Sequence, residues 1–79
     1  MYYADRPIFA TTPEEKVWRN AEYRRLRRSL SLSRPSLSAV TGLSITTLNQ
    51  IPYRDKAVSL AVLERMREAL EERRQRHAA

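Results

Sequence analysis

Hydrogen-bonding side chains of moderate length are concentrated in one short segment, TGLSITTLNQIP, at residues 41–52. Hydroxyl and amide groups of this kind can bond the edges of DNA bases, and they can also bond phosphate oxygens. Ile45 differs from its neighbours, since it can contact a thymine methyl group or fold back against the core. The candidate base-reading residues are Ser44, Ile45, Thr46, Thr47, Asn49 and Gln50.

Residue types that support catalysis are scarce. The chain has one histidine, His77, and no cysteine. It lacks a glycine-rich phosphate loop and a nucleophile elbow. The neighbouring glutamates at 14–15 and 71–72 would project about 100° apart on a helix, which makes them poor acid–base pairs. We therefore expect no enzymatic activity, no cofactor and no metal site.

Two short helices joined by a tight turn would present the polar segment. Ser33 or Arg34 caps a first helix at about 35–41, and Gly42 ends it. Ser44 then caps a second helix at about 45–51, which Pro52 closes. A left-handed turn at Gly42 would cost a residue with a Cβ about 1–2 kcal/mol. This order predicts a helix-turn-helix.

Apolar residues recur where such a pair of helices needs anchors. Leu37 lies in the first helix, Leu43 in the turn, and Leu48 and Ile51 on one side of the second helix. Ser38 is small, as expected where the second helix crosses the first closely. The polar residues of the second helix would then remain exposed.

The segment SRPSLSAVTGLSITTLNQI resembles the helix-turn-helix of the Xre/Cro family of phage-repressor-like DNA-binding proteins. The upstream RLRRSLSLS is similar to the end of that family's first helix, and LAVLERMREAL is similar to a later core helix, so the resemblance covers about residues 23–70. It implies that the second motif helix enters the major groove with Ser44, Ile45, Thr46 and Gln50 as base readers, joined by Thr47 and Asn49. It also implies that Arg34 contacts a phosphate.

The chain departs from that family at three positions. Arg34 stands where glutamine is usual, Ser38 replaces alanine, and Pro52 occurs where an acidic residue is common. VTGLSITTL also resembles MerR-type and excisionase-type winged domains, but no hairpin signal follows it. The winged reading is therefore the second choice.

The flanking segments predict two longer helices. TTPEE carries a capping box of Thr12 and Glu15 around Pro13, and the helix should run to about Leu30. Its apolar residues fall on two faces, which predicts either a bend near Asn20 or two buried faces. Ser59 caps a last helix whose core stripe (Leu60, Leu63, Met66 and Leu70) extends to about residue 70.

The charge balance favours a polyanionic partner. The chain has 79 residues with a formal charge of +6, and it has no apolar run of the length that a membrane span needs. The cluster Arg24–Arg28 forms either a solvated face or a surface for phosphate or for an acidic partner. The candidate phosphate contacts near the motif are Arg34, Tyr53, Arg54 and Lys56.

Together these patterns predict an all-α protein, a compact four- to five-helix bundle of the lambda-repressor-like type. We expect an N-terminal arm at 1–11, a DNA-binding domain at 12–72 with its motif at 34–51, and a basic tail at 73–79. The arm is a loose segment, a short strand that pairs with a partner, or a cap of aromatic residues on the core. The expected function is a cytoplasmic, homodimeric regulator that binds double-stranded DNA, with no membrane or small-molecule partner. The alternative is a protein-interaction module.

Overall fold

Four helices make up the regular structure of the described part of the chain. The computed structural model describes residues 2–51 and 57–78. The helices are α1 (Pro13–Leu30), α2 (Arg34–Thr41), α3 (Ile45–Gln50) and α4 (Leu60–Ala78). Within those two ranges there is no strand, so the all-α prediction is confirmed. The four helices also agree with the predicted four to five.

The first helix begins at the predicted cap. Thr12 Oγ1 accepts a hydrogen bond from the Glu15 N–H at 3.2 Å, and Pro13 is the first helical residue. The capping box is only half formed, because the Glu15 carboxylate does not turn back to Thr12. It accepts hydrogen bonds from Arg6 Nη2 at 2.6 Å and Arg19 Nε at 2.9 Å instead.

A second buried face of α1 is not formed at Val17 and Ala21, although Trp18 beside them is half-buried against the core. The helix is continuous through Asn20, and Val17 is 66% exposed. One stripe is buried, and its first members are polar. It consists of Glu15, Arg19, Tyr23, Leu26 and Leu30. The two charged positions at the start of the stripe explain why apolar periodicity alone failed to detect it.

The N-terminal arm folds back onto α1 and α4. The backbone N–H groups of Tyr2 and Tyr3 donate to the Glu64 carboxylate at 3.1 and 2.9 Å. Tyr3 is 6% exposed, and its ring packs edge-on against Trp18 with the ring centres 5.6 Å apart. Burial and the hydrogen bond to the Glu22 carboxylate raise the pKa of Tyr3 above its ordinary value. Of the three possibilities for the arm, capping of the core describes Tyr3.

The buried side chain of Arg19 forms hydrogen bonds with the backbone of the arm. Its Nη2 donates to the carbonyl oxygens of Pro7 at 2.5 Å and Ile8 at 3.2 Å, and its Nη1 donates to that of Val58 at 3.4 Å. Burial acts to raise the pKa of Glu15, but hydrogen bonds and charge from Arg19 and Arg6 outweigh it and hold that pKa below 4.5.

The last helix starts as predicted and extends further than its core stripe. Ser59 Oγ accepts from the Val62 N–H at 3.3 Å. Leu70 is still buried, whereas residues 72–76 are exposed, and the helix continues to Ala78. Arg73 Nη1 donates to the Leu30 carbonyl at the end of α1, where a positive charge is favoured.

The core lies where α1 and α2 meet α4. Helix α1 packs on α4, and α2 packs on both α4 and α3. Burial of each large apolar side chain contributes about 1.5–3 kcal/mol to folding. All four helices contribute fully enclosed apolar residues, among them Leu26, Leu37, Leu48, Leu63 and Met66. No helix in the described ranges combines the length and apolarity needed to cross a bilayer.

Candidate nucleic-acid interface

The turn between α2 and α3 depends on glycine. Gly42 has φ 75° and ψ 9°, the left-handed conformation that the sequence predicted, and its N–H donates to the Ser38 carbonyl at 2.9 Å. A Cβ built there would lie 2.7 Å from Arg65 Nη1, which itself donates to the Thr41 carbonyl at 2.8 Å. A side chain at position 42 would therefore strain the backbone and displace Arg65.

Two hydroxyl groups hold this turn together. Ser38 Oγ donates to the Leu43 carbonyl at 2.5 Å, so this residue serves as a hydrogen-bond donor as well as being small. Thr41 is completely buried, and its Oγ1 donates to the Leu37 carbonyl at 2.8 Å and accepts from the Leu43 N–H at 3.2 Å. Sequence reasoning missed the role of Thr41. The available signal was a threonine in the last helical turn, where bonding to the carbonyl four residues earlier is common.

One side of α3 is anchored in the core. Leu48 is completely buried and Ile51 is 8% exposed. Ser44 is the N-cap, as predicted, because its Oγ accepts from the Thr47 N–H at 3.1 Å. Ser44 Oγ also donates to Thr47 Oγ1 at 2.9 Å. The hydroxyl groups of Ser44 and Thr47 are therefore engaged with each other at the start of the helix.

The opposite side of α3 is exposed. Thr46, Asn49 and Gln50 are at helical spacings of three and four residues, so they share one face. None of these three side chains has a hydrogen-bond partner among the described residues. Ile45 lies beside them and is 41% exposed, so it has not folded back into the core. We call Ile45, Thr46, Asn49 and Gln50 the α3 face.

The proposed phosphate contacts are only partly described. Arg34 is the first residue of α2 and is exposed. Ser33 is the N-cap, which decides between the two predicted capping residues; its Oγ accepts from the Ser36 N–H at 3.4 Å. The positive end of the helix dipole and the arginine side chain both suit a phosphate. Tyr53, Arg54 and Lys56 lie outside the described residues.

The arginine cluster of α1 separates into two groups. Arg25 is paired with Glu22, at 2.5 Å between Nη2 and Oε1. Arg24, Arg27 and Arg28 have no ion pair with a carboxylate in the described ranges, and all three line an open surface cavity of about 590 Å³ with Ser31 and Leu32. These three arginines are therefore available to an anionic partner.

A smaller cavity of about 230 Å³ lies beside the first one. It is lined by Asn20, Tyr23, Arg24, Arg27 and Ile51. The Tyr23 hydroxyl is buried and has no hydrogen-bond partner within the described part of the chain. A hydroxyl group in that state costs about 1–3 kcal/mol. Sequence reasoning did not single out Tyr23 or this cavity, since α1 forms it together with Ile51, which is distant in sequence and follows α3.

The described residues hold no group of three histidine, cysteine, aspartate or glutamate side chains that could bind a metal ion. Comparisons with models of known protein families, with curated proteins and with solved structures found no match. The resemblance to the Xre/Cro family therefore stays a prediction based on the motif.

Proposed function

We propose that this chain is a sequence-specific regulator that binds double-stranded DNA and places α3 in the major groove. It would act in the cytoplasm as a small repressor or autoregulator of a bacterial, phage or mobile-element operon. The observation that carries the proposal is the α3 face: three exposed polar side chains that have no hydrogen-bond partner among the described residues. The other side of the helix is fixed by Leu48, and Ile51 at its C-terminal end is also buried.

The size of α3 suits a groove and limits what it can read. Six residues span about 9 Å at 1.5 Å per residue, and the major groove is about 12 Å wide. A helix of this length contacts only a few base pairs. Useful specificity then requires two copies of the chain on half-sites about 34–36 Å apart, so the proposal includes a homodimer.

Positive charge on two other helices could add contacts to DNA phosphates. Arg34 at the N-terminus of α2 and the unpaired arginines of α1 can supply the contacts that position a protein on DNA without reading its sequence. Each phosphate contact adds about one unit to the negative slope of log affinity against log salt concentration.

Selection of bound duplexes from a random pool, followed by affinity measurements, tests the proposal. Thr46→Ala combined with Gln50→Ala should lower affinity for the selected site about tenfold or more, since a good base contact contributes about 1–3 kcal/mol. Affinity for scrambled DNA should stay the same. The matched control is Thr11→Ala with Gln75→Ala, which makes the same chemical changes at exposed positions away from α3. Equal losses in the two double variants would refute the assignment.

A protein-interaction module is the second candidate, because two apolar residues of the arm are exposed. Ile8 is 78% and Phe9 is 76% exposed, although Arg19 binds the backbone of Ile8. The salt dependence of DNA binding discriminates between the candidates. Steep salt dependence without preference for any selected duplex would favour the interaction module or general nucleic-acid binding. The winged alternative has less support, since only nine residues, 51–59, separate α3 from α4.

A further inference from the structure

The backbone of α3 approaches that of only one other helix in the described part of the chain, α2. With six residues, α3 is also too short to be stable as an isolated helix. Its buried anchors, Leu48 and Ile51, lie in its second half and at its C-terminal end. The turn at residues 42–44 therefore has to fix the N-terminal end of α3, where Ile45 begins the helix.

Three side chains bond to the backbone of residues 41–43 within the described ranges. Two of them, Ser38 and Thr41, belong to α2 and bond the Leu43 backbone locally. The third is Arg65 of α4, whose Nη1 donates to the Thr41 carbonyl oxygen at 2.8 Å across 24 positions of sequence. A cation suits this position, because the Thr41 carbonyl lies at the negative, C-terminal end of α2. Arg65 is thus the member of this group that comes from outside the two motif helices.

The guanidinium of Arg65 lies in space that the glycine leaves open. A Cβ at position 42 would be 2.7 Å from Arg65 Nη1 and 3.8 Å from its Cζ. Gly42 therefore takes the left-handed conformation and also admits the guanidinium beside the turn. Arg65 is exposed and forms no ion pair with a carboxylate among the described residues. The turn is its hydrogen-bond partner there, in place of the acidic side chain that an exposed arginine on a helix often pairs with.

We propose that Arg65 is a positioning residue, which links α4 to the end of α2 and so fixes the direction in which α3 presents the α3 face, without contacting DNA itself. The inference rests on the proposed function. Because α4 packs on both α1 and α2, this link ties the turn to the main body of the protein. Loss of the link should leave α1 and α4 in place and let the N-terminal end of α3 change direction.

Residual dipolar couplings of the isotopically labelled protein test the link without DNA. In the wild type, the backbone couplings of residues 45–50 should fit the same alignment as those of α1 and α4. Arg65→Met keeps an unbranched aliphatic stem and removes the donor, so it should change the couplings of α3 and leave those of α1 and α4 the same. Unchanged couplings in α3 would overturn the proposal.

Arg74→Met is the matched control, since it makes the same chemical change at an exposed position of α4 beyond the core. Its couplings should equal those of the wild type. Equal changes in the two variants would overturn the proposal, because they would reflect the loss of charge alone. Circular dichroism should show both variants folded, as expected for changes at exposed residues. An unfolded Arg65→Met would also overturn it, because Arg65 would then support the whole fold.

Affinities for a selected and a scrambled duplex separate positioning from a phosphate contact. Arg65→Met should lower the preference for the selected duplex about threefold to tenfold, the range expected for loss of one hydrogen bond. Its affinity for scrambled DNA, and the salt dependence of that affinity, should equal those of Arg74→Met. Full retention of the preference would overturn the proposal. An equal loss on both duplexes, with a salt slope shallower by about one, would overturn it in favour of a phosphate contact.

The two measurements keep this inference separate from the proposed function. A random pool that yields no preferred duplex would refute sequence-specific binding, whereas the dipolar couplings would still decide whether Arg65 orients α3. Conversely, a selected duplex that is bound equally well by the wild type and Arg65→Met would refute the role of Arg65 and leave the proposed function standing.

Discussion

Polar side chains are used in opposite ways at the arm and at α3. At the arm, Glu15 and Arg19 are 5% and 3% exposed, and Arg19 alone donates hydrogen bonds to one carboxylate and three carbonyl oxygens. On the α3 face, Thr46, Asn49 and Gln50 are exposed and bond to nothing among the described residues. A polar group whose bonds are completed inside the protein supports the fold, whereas an exposed and unbonded group is available to a partner.

The strongest challenge to this contrast is removal of Arg19. Arg19→Met should lower the free energy of unfolding by about 3–5 kcal/mol, because it breaks a buried ion pair and leaves buried polar groups without partners. Urea denaturation followed by circular dichroism measures the change. Arg74→Met, at an exposed position, is the control and should change stability by less than about 0.5 kcal/mol. A loss below about 1 kcal/mol at Arg19 would mean that the arm is not held as described.

The next largest effect on stability is expected at Gly42, in the turn between α2 and α3. Gly42→Ala should destabilise the protein by about 1–2 kcal/mol, since alanine is strained at φ 75°. Gly42→Asn places a Cβ at the same point near Arg65 but tolerates the left-handed conformation better. The alanine variant should therefore be the less stable of the two in thermal unfolding. Equal stabilities would assign the cost to the contact with Arg65 instead of the backbone.

Acid should weaken the arm and leave the α3 face chemically unchanged. The pKa of Glu15 is lowered in the folded protein, so below about 4.5 the unfolded chain takes up the proton first and stability falls with pH. The stability advantage of the wild type over Glu15→Gln should be full at pH 7 and shrink as the pH falls below about 4.5. Urea titrations at several pH values measure it. A difference that stays constant with pH would contradict the ion-pair account.

The smallest effect on stability is expected on the α3 face. Thr46→Ala with Gln50→Ala should change the free energy of unfolding by no more than about 0.5 kcal/mol, because both side chains are exposed and make no described bonds. Urea denaturation checks this. A larger loss would show that these side chains support the fold, and it would remove the distinction between the two regions.

Local signals in the sequence predicted the motif well. The caps at Thr12, Ser44 and Ser59, and the left-handed turn at Gly42, depend on residues no more than four positions apart. Capping preferences and the steric freedom of glycine act over this same short range, so the residue types were sufficient. The buried positions of Leu37 and Leu48 followed from their spacing.

Features that depend on distant partners could not be predicted in this way. A glutamate and an arginine four residues apart ordinarily indicate an exposed ion pair, and only the folded arm shows that Glu15 and Arg19 are buried. The Glu64 carboxylate accepts a hydrogen bond from the N–H of Tyr2, which is 62 positions away in sequence. The cavity beside Tyr23 is lined in part by Ile51, which follows α3. Nothing in the local pattern encodes these pairings.

The most direct measurement compares the selected duplex with a scrambled one for the wild type and for Thr46→Ala combined with Gln50→Ala. The account predicts that the wild type prefers the selected duplex. It also predicts that the double variant loses about tenfold or more of that preference while its stability and its affinity for scrambled DNA stay unchanged. A double variant that keeps the full preference would contradict the claim that the α3 face reads DNA.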